Sequence, residues 1–364
     1  MLSRLRTSPW LRAALLVTGL GFCAYGLMAE WPQAHAALGR LHWYSVAAAA
    51  LAAAAGAGCM MLAWRELLAD LGSRLPLPAA TRVIFVAQLA RYVPGAVWTF
   101  AAQVELGRDH QVPGRRGATA VIVGLAVALG VGLLTAAATL PLSAASAARQ
   151  YWWALAIAPV ILLCLCPPVL GRMLDRALAL AGRKPLERTP SWSGMAKAVG
   201  WTALGWLLWG LQAWVVIRDM TGGGTKVLLL ALGGYALAWS AGVLAVPFPS
   251  GIGPRELALV AALAPVMPRG AALVVALTSR VVMTASDLAW AGVGLTIARP
   301  PARAATQPGT RSARAGRGRH RKITPGRTTL PGQDSGAGQA AGQAAQAAGQ
   351  AGRTGQPGPV SPVR

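Results

Sequence analysis

Charge is the first thing this chain lacks. Of its 364 residues only 12% are Asp, Glu, Lys or Arg, about half the share of roughly 25% found in ordinary soluble domains. A soluble protein of this length needs more ionised surface, so an ordinary cytosolic enzyme is excluded. Acids are scarcest, 11 against 34 basic residues, for a formal net charge of +23. Cysteine and histidine number four each. Cys23, Cys59, Cys164 and Cys166 all fall in apolar runs, where a thiol serves as a small hydrophobe, so no disulfide framework follows. His35, His42, His110 and His320 stand far apart in loops or tail, and no metal site is expected. There is no G-x-x-x-x-G-K-[ST] motif, which excludes direct drive by ATP. Asp70, Asp109, Asp175 and Glu187 stand singly among basic residues, with no D-x-D or E-x-x-H spacing. No cofactor is expected.

What the chain has instead is apolar length. It is 55% hydrophobic with a mean hydropathy of +0.48. Runs at about 13–29, 45–64, 117–140, 151–171, 198–217, 227–246 and 271–297 each hold about the 17 to 25 apolar residues that cross a hydrocarbon core at roughly 1.5 Å per residue. The basic start Met1 to Arg6 resembles a signal peptide, but Glu30-Trp31-Pro32 is no small-residue cleavage site, so a retained first helix is expected. Two further apolar stretches, 80–106 and 247–267, are interrupted. If 80–106 re-enters and 247–267 crosses, the segments placed in the cytoplasm hold 21 basic residues and those placed outside hold 5. That bias sets the expectation of an all-α, polytopic bundle of about eight crossings plus one re-entrant element, in the cytoplasmic membrane with both termini cytoplasmic.

The chain divides at about residue 298. Residues 1–298 form the membrane domain; 299–364 form a basic tail with a Gly/Gln/Ala repeat around Gln339 to Gly352. With no aromatics and few large apolar residues the tail cannot offset its ordering entropy, and disorder is expected. Its basic stretch Arg311 to Arg327 reads either as a ligand for anionic lipid or as a solvated stop-transfer tail. Nucleic acid is not an expected partner. Trp10, Trp31, Trp43, Trp152, Trp153 and Trp214 fall near run ends, as interfacial anchors do. The Ala/Gly run from Ala47 to Gly58 suits close helix packing.

The two interrupted stretches carry the functional signal. The first reads Arg91-Tyr-Val-Pro94-Gly95, with Glu105 on the helix that follows. The second reads Pro247-Phe-Pro249-Ser-Gly251-Ile-Gly253-Pro-Arg255-Glu256. Proline and glycine at these densities forbid a continuous helix, and Pro254 suits the first position of a new one. A break at membrane depth survives only inside protein or beside a water-filled cavity, and each new helix start offers unpaired N–H donors to an anion. Interrupted helices in both halves of a transporter point to its binding site. Arg280 and Asp287 lie seven apart, on one face of the last run. Charges at that depth face a partner or a cavity. Three arginines near two helix starts suit a phosphate, which guanidinium grips with two hydrogen bonds. The alternative is that Arg280–Asp287 and Arg255–Glu105 are structural ion pairs.

The pairing of Arg91-Tyr-Val-Pro94-Gly95 with Pro249-Ser-Gly251-Ile-Gly253-Pro-Arg255-Glu256 resembles the lysylphosphatidylglycerol synthase transmembrane-region family, flippase-like integral membrane proteins. The resemblance covers about residues 10–298. It implies a helical bundle with re-entrant elements and movement of a headgroup-modified lipid between leaflets. Full-length synthases carry a soluble aminoacyl-transferase domain after the membrane part; here only the tail follows, so synthase activity is not implied. Family members often carry an acid in the helix after the first Pro-Gly element, and 117–140 has none. The expected function is binding and translocation of a phosphate-bearing phospholipid or lipid-linked substrate, not catalysis. The alternatives are a membrane-embedded transferase and a non-transporting scaffold.

Overall fold

In the computed structural model the described residues are Gly21, Tyr25 and 28–92, 98–143, 158–180, 182, 188–245 and 251–297. Among them every regular element is a helix: α1 (Trp31–Arg40), α2 (Trp43–Asp70), α3 (Leu77–Gln88), α4 (Trp98–Asp109), α5 (Gly114–Ser143), α6 (Ala158–Leu165), α7 (Pro167–Leu180), α8 (Trp192–Thr221), α9 (Thr225–Leu244), α10 (Pro254–Leu263) and α11 (Arg269–Ile297). Helices α2, α5, α8, α9 and α11 are each long and apolar enough to cross a membrane; α6 and α7, bent by 80° at their junction, add a sixth if they form one broken span. The expected eight crossings are therefore not reached among the described residues. Most of the first run, 13–29, and the start of the fourth, 151–157, lie outside them, as does the tail.

Helices α2 and α8 form the central pair. They run antiparallel and are stapled at both ends. At one end the Asp70 carboxylate accepts the Ser191 N–H and the Ser191 hydroxyl, both at 2.6 Å. At the other, Asp219 accepts the His42 N–H at 3.1 Å and the Ser45 hydroxyl at 3.0 Å. Between the staples the small-residue run of α2 lets the backbones close in. A Cβ on Gly56 would lie 2.5 Å from the Trp209 ring and 3.2 Å from the Gly205 carbonyl oxygen. Such approach replaces the hydrophobic drive that lipid does not supply.

The Asp70 and Asp219 ends organise everything else. Gly270 at the start of α11 donates its N–H to Gln33 of α1 at 3.1 Å, which puts α1 and the α10–α11 turn at the Asp219 end. Within 30–44, where only a loop was expected, Trp31–Arg40 form a helix with Pro32 in its first turn. Arg65 holds the Leu75 carbonyl at 2.8 Å and Arg116 holds the Gly72 carbonyl at 3.1 Å. The start of α3 and the start of α5 thus share the Asp70 end. Helix α3 enters along α11, with Phe85 stacked on Trp290 at 4.8 Å, then gives way to a short 3₁₀ turn, Leu89–Tyr92, that still touches α11. Helix α4 returns to Val112 and Gly117. Helices α3 and α4, on either side of residues outside the described set, pack against one another.

The stretch 247–267 does not form one crossing helix. Helix α10 has ten residues, about 15 Å, half a hydrocarbon core. It folds back antiparallel on α9: Gly251 abuts Gly242 and Ala262 abuts Gly234. The turn beyond it brings Val266 and Met267 beside Met220 and Thr221, so 251–267 travels most of the length of α9 back toward the Asp219 end.

Candidate functional site

Glycine builds the second break. Gly251 and Gly253 have φ of +66° and +95°, values that L side chains rarely adopt. Gly251 also lies directly against α9, where a Cβ would stand 2.7 Å from the Gly242 Cα. The chain can therefore reverse against α9 with no side chain between the backbones. Pro254 then starts α10, where its missing N–H costs nothing.

Glu256 closes the structure. One carboxylate oxygen accepts the Gly253 N–H at 2.7 Å, capping α10. The other receives the Arg280 guanidinium from α11 at 2.5 Å. The Glu256 side chain is 5% exposed and that of Arg280 26%. A buried carboxylate is stable only when its oxygens are occupied in this way. Glu256 thus ties the reversal, α10 and α11 together.

Arg255 points to the opposite partner. It donates to the Tyr235 hydroxyl and lies over the Tyr235 ring, 5.0 Å from the centroid. Tyr235 is fully buried and stands about 15 Å into α9. The cation–π contact and the hydroxyl together orient the guanidinium without neutralising it. Among the described residues no carboxylate pairs with Arg255. Asp287 is buried on α11, one turn beyond Met283, and has a partner of its own. Nearby, the fully buried Gln212 of α8 donates to Ser279 at 2.8 Å, so polar groups continue into the bundle beside Arg280.

The structure therefore brings together Gly251, Gly253, Arg255, Glu256 and Arg280. It does not bring Glu105 to them. Glu105 is 72% exposed on α4 and pairs with Arg108, three residues on, at 3.0 Å. The alternative Arg255–Glu105 pair does not form: Glu105 lies on an exposed face of α4, and a neighbour on the same helix takes the carboxylate. Arg280 takes Glu256 of α10 as a cross-helix partner. Arg91 lies in the 3₁₀ turn; its side chain, with Pro94, Gly95 and Pro249, falls outside the described residues. Sequence reasoning missed Tyr235 and Gly242. Both sit in an uncharged run and differ by seven, which places them on one face of α9, and that face receives α10.

The sequence profile of the lysylphosphatidylglycerol synthase TM region matches residues 10–291. No curated protein matches the chain.

Proposed function

We propose that this chain, which belongs to the lysylphosphatidylglycerol synthase transmembrane-region family, binds the phosphate of a membrane lipid at Arg255 and passes that lipid between leaflets. The observation that carries the reading is a guanidinium held about halfway along the spanning helix α9, aimed by Tyr235 and not offset by a carboxylate among the described residues. A cation kept at such depth is costly unless it serves an anion. The Glu256–Arg280 lock supplies the rigid wall against which the headgroup sits, and the glycine reversal leaves backbone close enough to reach it. The acyl chains stay in the bilayer.

The basic residues favour an orientation. Arg65, Arg74, Arg116, Arg188 and Lys197 gather at the Asp70 end, so that end faces the cytoplasm and the hairpin of α3 and α4 enters from that side.

The test is reconstitution in vesicles carrying a headgroup-labelled anionic phospholipid, with a membrane-impermeant quencher reporting exchange between leaflets. The full chain accelerates exchange. Arg255→Ala lowers the rate to that of protein-free vesicles while the protein elutes as a folded species, and Arg255→Lys restores part of it. Full activity in Arg255→Ala overturns the reading.

A further inference from the structure

A second cationic centre lies away from the helix breaks, at the Asp70 end. There a hollow of about 640 Å³ opens between the end of α2 and the start of α8, and its wall carries Arg65, Arg74, Arg188 and Lys197 with Glu66 and Asp70. The two acids do not balance the four cations. Both oxygens of Asp70 are taken by Ser191. Glu66 sits between Arg65 and Lys197 at 3.6 and 3.8 Å, too far for hydrogen bonds to either. No described carboxylate pairs with Arg74 or Arg188.

The cations are also crowded. A methyl group built on Gly72 would lie 3.3 Å from Arg188 Nη1 and 3.4 Å from Arg116 Nη1, so two guanidiniums from distant parts of the chain meet over one glycine. Gly72 has φ +91°, and its carbonyl is the anchor that holds Arg116 there at 3.1 Å. Arg65, which lines the hollow, is likewise fixed, its Nε bound to the Leu75 carbonyl at 2.8 Å. Arg65, Arg74, Arg188 and Lys197 gather on one hollow, and like charges gathered in this way repel unless an anion lies among them. Planar guanidinium forks at several angles match the several oxygens of one phosphate.

We infer that this hollow is a phosphate-binding site, formed by Arg65, Arg74, Arg188 and Lys197 and separate from the Arg255 site. Its size admits a single headgroup. The phosphate belongs either to an anionic lipid at the membrane boundary or to a soluble phosphate, and both present the same oxygens to the same forks. The inference does not depend on lipid translocation.

The test uses the full chain in neutral detergent. Inorganic phosphate is titrated by calorimetry, and phosphatidic acid against phosphatidylcholine is scored by native mass spectrometry. Saturable binding of inorganic phosphate identifies the soluble source; retention of phosphatidic acid alone identifies the lipid source; either supports the site. Arg74→Ala/Arg188→Ala weakens that binding by at least about tenfold, the weight of one lost charge-assisted hydrogen bond. Both side chains are exposed, so the unfolding temperature holds, and the corresponding double Lys variant recovers part of the affinity. A control, Arg40→Ala/Arg269→Ala, removes the same charge at the Asp219 end and leaves binding unchanged. Binding of neither probe, an unaffected Arg74/Arg188 variant, or an equal loss in the control overturns the inference.

Discussion

The two interrupted segments look alike in sequence and are built in different ways. The second is locked: its reversal presses Gly251 on Gly242, its helix start is capped by Glu256, and that carboxylate is gripped from α11 by Arg280. The first shows chiefly ring and backbone packing in its described contacts. Phe85 stacks on Trp290 and Gly294 packs against the backbone of Thr81 and Arg82, while in α4 Gly107 is the one residue buried and Glu105 stays local to Arg108. Rigidity in this bundle thus follows from where charge is buried, not from where proline and glycine sit. One break is a fixed wall and the other a lightly seated hairpin.

The sharpest way to break that contrast is Arg280→Ala. It strands the Glu256 carboxylate in a buried site and costs about 3 kcal/mol, read as a large drop in unfolding temperature in detergent. Glu256→Gln, which removes the charge and keeps an acceptor for the Gly253 N–H, costs about half as much. Next comes Gly251→Ala, which combines a strained φ with a backbone clash on Gly242 and costs about 2 kcal/mol. Its effect appears as faster hydrogen exchange across α10. Phe85→Leu loosens the first segment alone, by about 1 kcal/mol for the lost ring stacking. That is seen as increased proteolysis between α3 and α4 with α10 unchanged. Glu105→Gln changes stability by less than about 0.5 kcal/mol, since an exposed pair three residues apart contributes little. A loss as large as that of Arg280→Ala would erase the distinction between the two segments.

Much of this architecture is legible in the residues. The apolar runs at 45–64, 117–140, 198–217, 227–246 and 271–297 coincide with α2, α5, α8, α9 and α11. The helices mostly outgrow the runs, because polar residues such as Arg65, Glu66 and Asp70 continue the helix beyond the apolar stretch. Proline and glycine mark both breaks, since their effect on the backbone is local. Partner choice is not local, and there the sequence falls short. Whether Glu256 meets Arg280, or Glu105 meets Arg255, depends on the register of helices far apart in the chain. Tyr235 gives no signal in a hydropathy profile, yet it positions the arginine on which the proposed function rests. The Asp70–Ser191 and Asp219–His42 staples escape for the same reason: each joins residues more than a hundred positions apart.

The placement of α11 has a mechanical consequence. One flank receives the 3₁₀ turn and the stacked ring of Phe85; another carries the guanidinium that clasps α10. This helix is therefore a common axle for two hairpins. It cannot twist about its length without pulling on the clasp and sliding beneath the ring at once, so any push delivered to one hairpin is felt by the other through a single rod.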